Sequence, residues 1–314
     1  MSTTSVPRFA GVYAATALPF ADDGAPDLDR FRDHCAWLID RGVAGIVPNG
    51  SLGEYESLTE EERALVVAAA ADAAGGRAAL VPGVSGRSGP ESRRWAEHAA
   101  EAGAVAVMAL PPTAHQPTAD EVVAHFREIA KAGLPIVAYN NPYSTRVDLT
   151  PDLLARLAEI EEVAAVKEFS QDARRVARIR ERAPRLEVIC GCDDVLVEAV
   201  LLGAVGWIAG FVNALPASSV RLFELCAAGD VAAAMALYRP LLPLLRWDAD
   251  PRFVQAVKLA QDEVGRYGGP LRLPRLPLPP GDAEQVRAAL RAAVEAEAGT
   301  EAGTEAGLAA RVAG

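Results

Sequence analysis

Short apolar runs, each cut off by Gly, Pro or a polar turn, recur along the chain and alternate with longer stretches of helical period. The runs that read as strands are Val12 to Ala17, Gly45 to Pro48, Ala79 to Gly83, Ala104 to Leu110, Pro135 to Tyr139, Val163 to Lys167, Glu187 to Cys190 and Val205 to Ala209. They are nearly all apolar and lack polar alternation, as parallel strands covered on both faces do. The stretches between them read as helices: Asp29 to Asp40, Thr59 to Ala74, Pro90 to Glu101, Ala119 to Lys131, Pro151 to Glu159, Ala173 to Glu181, Asp194 to Leu202 and Ala217 to Ala227. Start signals support several of these. Thr59-x-x-Glu62 and Thr118-x-x-Glu121 are capping boxes, and Thr150-Pro151 is an N-cap followed by proline at the first helical position.

Eight such units in series predict an α/β fold, a (β/α)8 barrel, rather than an open doubly wound sheet. No Gly-x-Gly-x-x-Gly follows the first strand, which weakens a dinucleotide-binding alternative. The barrel is expected over residues 1–228. A helical extension over 229–296 follows, with pieces near Val231 to Leu245, Arg252 to Val264 and Ala283 to Ala296 around a proline-rich Leu271 to Pro280. The Glu-Ala-Gly-Thr repeat of 297–314 is too small and polar to bury a face and is expected to be a disordered tail.

Composition narrows the function classes. Of 314 residues, 51% are hydrophobic and 23% charged, enough for a substantial core. The formal charge of −11 comes without a basic cluster, which argues against nucleic acid or an anionic membrane as partner and leaves small-molecule chemistry. Apolar runs such as Ala64 to Ala71 are far shorter than the roughly 20 residues of a membrane helix. The run after Arg8 lacks a convincing cleavage site and reads as the first strand. Four cysteines, Cys35, Cys190, Cys192 and Cys226, are sparse and without zinc-ribbon spacing, so reduced thiols in a cytoplasm are expected. Cys190-x-Cys192 is either packing at a strand end or a metal or redox pair, and packing is favoured. The four histidines show no metal spacing: His34, His98 and His125 fall in helical segments, whereas His115 lies on the loop after the fourth strand.

In a barrel of this kind the active site forms at the C-terminal ends of the strands, so the residues that close each run carry the candidate chemistry. The second run closes on Asn49-Gly50-Ser51-Leu52-Gly53-Glu54, the fifth on Tyr139-Asn140-Asn141-Pro142 and the sixth on Lys167-Glu168. A lysine in a barrel mouth loses solvation, which lowers its pKa and leaves free amine to attack a carbonyl or imine carbon. A neighbouring tyrosine can move protons during that attack, and a glycine-flanked turn can present amides and a hydroxyl to a carboxylate. Taken singly, Lys167 also reads as a solvated strand end, Tyr139 as a core aromatic and Gly50-x-x-Gly53 as a plain turn.

Together these motifs resemble a known family. Gly50-Ser51-Leu52-Gly53-Glu54 with Leu58-Thr59-x-x-Glu62-Arg63, Tyr139-Asn140-x-Pro142, and Val166-Lys167-Glu168 with Ser170 are similar to the dihydrodipicolinate synthase and N-acetylneuraminate lyase superfamily, from about Phe9 to about Pro280. The resemblance implies a (β/α)8 barrel, usually a homotetramer, that forms a lysine Schiff base with a 2-oxo acid or related imine and uses neither metal nor cofactor. It implies Lys167 as the Schiff-base residue, Tyr139 as the proton shuttle, Ser51 with the Leu52 amide as the carboxylate site, and Gly50, Ile208 and Gly210 as further substrate-binding positions.

Two departures bear on the substrate. Where the synthases keep an arginine two residues after the strand-five proline this chain has Ser144, with Arg146 nearby, and where they keep a tyrosine that reaches into a neighbouring subunit it has Ala114. Cys190-Gly191-Cys192-Asp193-Asp194, the stretch Gly206 to Ala214 and Lys258-Leu259-Ala260-x-x-Glu263-Val264-Gly265 resemble the 1-pyrroline-4-hydroxy-2-carboxylate deaminases of hydroxyproline breakdown. There a lysine would attack the ring imine carbon, and ring opening, dehydration and hydrolysis would release ammonia and 2,5-dioxopentanoate. The deaminase is the preferred expectation. The alternatives are a 4-hydroxy-tetrahydrodipicolinate synthase or another 2-oxo acid aldolase, and a non-catalytic ligand-binding barrel. Trp207 and Phe211 either narrow the pocket or pack at the rim, and Glu54 and Glu168 either orient the site or serve as caps and helix-layer contacts.

Overall fold

The computed structural model describes residues 9–296 in full and follows the backbone of the last helix to Val312. The tail expected over 297–314 lies outside the fully described residues. Eight parallel strands form one curled sheet: β1 (Gly11–Ala15), β2 (Gly45–Val47), β3 (Ala79–Leu80), β4 (Val107–Ala109), β5 (Ile136–Asn140), β6 (Val163–Glu168), β7 (Glu187–Cys190) and β8 (Gly206–Ala209). Their order is β3-β2-β1-β8-β7-β6-β5-β4. Helices cover the outer face, so β5 and β6 are buried at every position, including Asn140, Lys167 and Glu168 at their polar ends.

The two end strands are bridged. Gly83 pairs with Met108 in an isolated parallel bridge, Val105 N donates to Leu80 O at 3.1 Å, Met108 N to Pro82 O at 2.9 Å and Val84 N to Met108 O at 2.9 Å. The sheet is therefore TIM-barrel-like. The third strand stops at Leu80, short of the expected Gly83, because Pro82 has no N–H to continue a ladder. Gly83 also lies so close to the second strand's exit that a Cβ there would meet Asn49 O at 2.2 Å.

The capping signals act as expected. Thr59 Oγ1 accepts from Glu62 N at 3.2 Å while Thr59 N donates to the Glu62 carboxylate at 2.9 Å, and Thr118 with Glu121 repeats the arrangement. The stretch after β7 differs: a 3-10 turn, Asp193–Val195, precedes a short helix, Leu196–Leu201, in place of one helix from Asp194.

Beyond the barrel, helices Val231–Leu245, Phe253–Glu263 and Pro280–Val312 pack on one another. Their buried residues, among them Leu237, Leu241, Val257 and Leu290, belong to the same continuous core as the strands. Between the first two helices the 3-10 turn Arg246–Ala249 packs on the turn that follows β7. The extension thereby reaches the C-terminal rim of the sheet. No helix among the described residues is long and apolar enough to cross a membrane.

Candidate active site

Pairing of β5 with β6 sets Tyr139 directly across from Lys167, and pairing of β6 with β7 sets Lys167 across from Ile189. Strand alternation then sends Lys167 and Glu168 to opposite faces. Lys167 faces a cavity of about 290 Å³ at the C-terminal rim. Glu168 faces the other way, taking Asn140 Nδ2 at 3.1 Å on each oxygen, Ser170 N at 2.7 Å and Arg175 Nε at 3.3 Å. It clasps two strand ends to the helix layer.

The Lys167 stem lies against the end of β7, where a Cβ on Gly191 would meet both its Cγ and its Cε at 2.9 Å. Only glycine leaves that groove open. The side chain is 5% exposed, and its Nζ stands 4.4 Å from the Tyr139 ring centroid and 5.9 Å from that of Phe169. Lys167 forms no hydrogen bond and no ion pair among the described residues. Burial lowers its pKa, and the carboxyl groups of Asp248 and Asp193 only partly oppose that shift. That shift favours the free amine, the state a nucleophile requires.

The Tyr139 hydroxyl accepts from Asn141 Nδ2 at 3.1 Å. Burial raises its pKa well beyond the usual phenol value, so it stays protonated and can act only by passing protons on. The second strand's exit is shaped by Asn49, in the left-handed region at φ 56°, and leads into the 3-10 turn Ser51–Gly53. The first amides of that turn, those of Ser51 and Leu52, have no acceptor within it, and both residues border the same cavity. Glu54, buried with φ 52°, anchors the turn from behind through Lys258 Nζ at 2.8 Å.

All seven expected site residues, Lys167, Tyr139, Gly50, Ser51, Leu52, Ile208 and Gly210, border this one cavity. Gly210 contributes in a different way from an amide donor, since its N–H is committed to Asp193 at 3.2 and 3.1 Å. Trp207 and Phe211 are fully buried, and neither borders the cavity; Trp207 Nε1 donates to Asp193 Oδ1 at 2.9 Å and Phe211 N to Asp193 Oδ2 at 2.9 Å. Ser144 borders the cavity, whereas Arg146 is exposed and stands outside it. His115 is exposed beside Glu121 at 3.9 Å, and Ala114 is exposed on the same loop. Cys190 and Cys192 flank Gly191 as free, buried thiols that donate to Cys192 O and to Asp194 Oδ1 at 3.2 and 3.3 Å. Burial raises both pKa values, so neither offers a thiolate.

Some lining residues had no signal in the pattern of strand ends. Asp248, Asp250, Phe253 and Arg275 come from the extension, which the barrel repeat does not describe. Asp193 follows β7 within the quoted Cys190 to Asp194 motif, and its role emerges only from the three donors that converge on it. Burial pushes its pKa up to about 6 against those hydrogen bonds, and it pushes Asp248, which among the described residues accepts only from Asp193 N at 3.2 Å, well above the usual aspartate range.

Known proteins resemble the chain over most of its length. A relative in Methanothrix thermoacetophila named 4-hydroxy-tetrahydrodipicolinate synthase is 34% identical over 289 residues, covering 90% of this chain and 96% of the relative. The solved 4-hydroxy-tetrahydrodipicolinate synthase from Methylacidiphilum fumariolicum SolV superposes with a TM-score of 0.88 at 28% identity, over 93% of this chain and 98% of that one. A prophage protein of the dihydrodipicolinic acid synthase family from E. coli K12, solved with pyruvate, superposes with a TM-score of 0.85 at 28% identity, over 90% of this chain and 98% of that one. Residues 8–293 match the dihydrodipicolinate synthetase family, so the chain belongs to that family and is an enzyme of its class I, lysine Schiff-base type.

Proposed function

We propose that the protein condenses a small 2-oxo acid with a second carbonyl compound through a Schiff base on Lys167, as a 4-hydroxy-tetrahydrodipicolinate synthase or a related 2-oxo acid aldolase. The observation that carries this reading is the buried amine of Lys167, unpaired among the described residues, in a cavity shared with the Tyr139 phenol and the Ser51-Leu52 turn. The turn would hold the 2-oxo acid's carboxylate, leaving its C2 carbonyl facing the amine. Tyr139 would carry the amine's proton to the carbonyl oxygen. The names of the relatives at 34% identity favour condensation over the deaminase expected from the C-terminal motifs.

Incubation with pyruvate followed by borohydride should leave a reduced adduct on Lys167, absent from Lys167→Ala. Turnover of pyruvate with aspartate semialdehyde should fall about 1,000-fold or more in that variant. An unmodified Lys167 after trapping with pyruvate and other small 2-oxo acids would refute the reading.

The deaminase remains a second reading, favoured by Ser144 at the cavity wall and by Arg146 outside it, which together leave the loop after β5 without an arginine in the site. Ammonia released from 1-pyrroline-4-hydroxy-2-carboxylate, with no condensation of aspartate semialdehyde, would establish that reading over the first. Either reading takes the chain as a closed (β/α)8 barrel over 1–228 carrying a packed extension over 229–296. Both assign it to the cytoplasm as a homotetramer, a state that light scattering tests.

A further inference from the structure

Two buried groups of opposite character border the same cavity without forming an ion pair among the described residues. Lys167 carries an amine that makes no ion pair or hydrogen bond among the described residues. Asp248 carries a carboxyl, 5% exposed, whose one hydrogen bond among the described residues is from Asp193 N at 3.2 Å. Asp193 beside it is held by Trp207 Nε1, Gly210 N and Phe211 N. Of two adjacent carboxyl groups, the one with three donors is the better home for negative charge, and the other is the better home for a proton. The fold also reserves this place for Asp248. Its Oδ1 occupies the space a Cβ of Gly210 would take, at 2.5 Å, and the turn Arg246–Ala249 exists to bring it there from outside the barrel repeat.

We propose that Asp248 is a further catalytic residue, the acid that supplies the proton for Schiff-base formation and then stays as counter-ion to the iminium. The proposal rests on the Schiff-base reading above. The amine lone pair of Lys167 forms the C–N bond to C2, and the π electrons move to the carbonyl oxygen. The nitrogen's surplus proton reaches that oxygen by way of Tyr139, giving a neutral carbinolamine. The nitrogen lone pair then forms the C=N bond as the C–O bond breaks. Its electron pair leaves on oxygen, which takes the Asp248 proton and departs as water. A neutral amine and a neutral carboxyl become an iminium cation and a carboxylate anion, so the site's net charge is unchanged and no ion is left alone in a dry cavity. The remaining titratable groups facing Asp248 are Asp193, Asp194, Cys190, Cys192 and the Tyr139 phenol.

The test uses the full chain with pyruvate and borohydride at saturating reductant. Wild type gives an adduct, and Asp248→Asn, which keeps the shape and loses the acid, gives it about a hundredfold more slowly. Asp248→Ala is equally slow and is accelerated by added formate, a rescue that a merely structural role would not produce. Infrared difference spectra of the wild type on adding pyruvate supply a measurement that needs no variant to fold: a protonated-carboxyl band is lost as a carboxylate band appears. If wild type traps pyruvate while Asp248→Asn traps it as fast, or if no carboxyl band is lost on binding, Asp248 is not the acid. If wild type itself traps no 2-oxo acid, the Schiff-base reading fails first.

Discussion

Lys167 packs its methylenes against Gly191 and its ammonium site against two aromatic rings, with no anion in contact. Replacing it by methionine retains the packing and removes the desolvation cost. Lys167→Met should abolish the adduct while raising stability by about 1–2 kcal/mol, measured by urea unfolding. The pH dependence gives a sharper check. Burial lowers the folded-state pKa of Lys167 below its unfolded value, so between the two the unfolded chain binds the extra proton. Stability of the wild type relative to Lys167→Met should therefore rise with pH through that window, up to the ordinary lysine range, and be lowest beneath it. Gly191→Ala drives a methyl into the lysine stem and into Glu168 O, also at 2.9 Å. It should cost about 1–3 kcal/mol of stability and suppress pyruvate trapping more than it affects the melting curve. The chemistry of Lys167, Tyr139 and Ser51 is legible in the sequence because each closes an apolar run, where a barrel gathers its site. Asp248 is not, since it closes no strand and its value depends on a neighbour 55 residues away in sequence.

At the scale of elements, the exit of β2 and the extension are joined by a buried ion pair, Glu54 to Lys258, with Arg275 at 3.7 Å from Glu54 and Arg272 N at 3.3 Å. Removing the cation alone leaves a desolvated carboxylate short of its nearest counter-ion, whereas removing both charges leaves a neutral amide beside a thioether. Lys258→Met should therefore destabilise by about 3–5 kcal/mol, and the Glu54→Gln, Lys258→Met pair by clearly less, in a double-mutant cycle of unfolding free energies. Because the Ser51–Gly53 turn sits on this pair, the single variant should also raise KM for pyruvate. The strands and their caps follow from local patterns: covered runs for β5 and β6, and Thr with Glu three residues on for the helices that begin at Glu60 and Ala119. One departure also has a local cause, Pro82 ending β3.

Across the whole molecule, the barrel repeat accounts for the floor and most of the wall of the cavity, and the extension completes it with Asp248, Asp250, Pro251, Phe253 and Arg275. Core residues run without a break from strands to extension, so residues 1–228 alone should fail to give a cooperatively melting protein by circular dichroism. The ring of strands is not uniform either. Between β5 and β6 the ladder continues through Asn140 and Glu168, whereas β3 and β4 meet through one bridge and a few amide bonds around Pro82, Gly83 and Met108. Met108 also borders the cavity. A vessel with one thin stave parts there first, so backbone deuteration of Val84, Val105 and Met108 should outpace that of β5 and β6, and a tightly held occupant resting on Met108 should slow it.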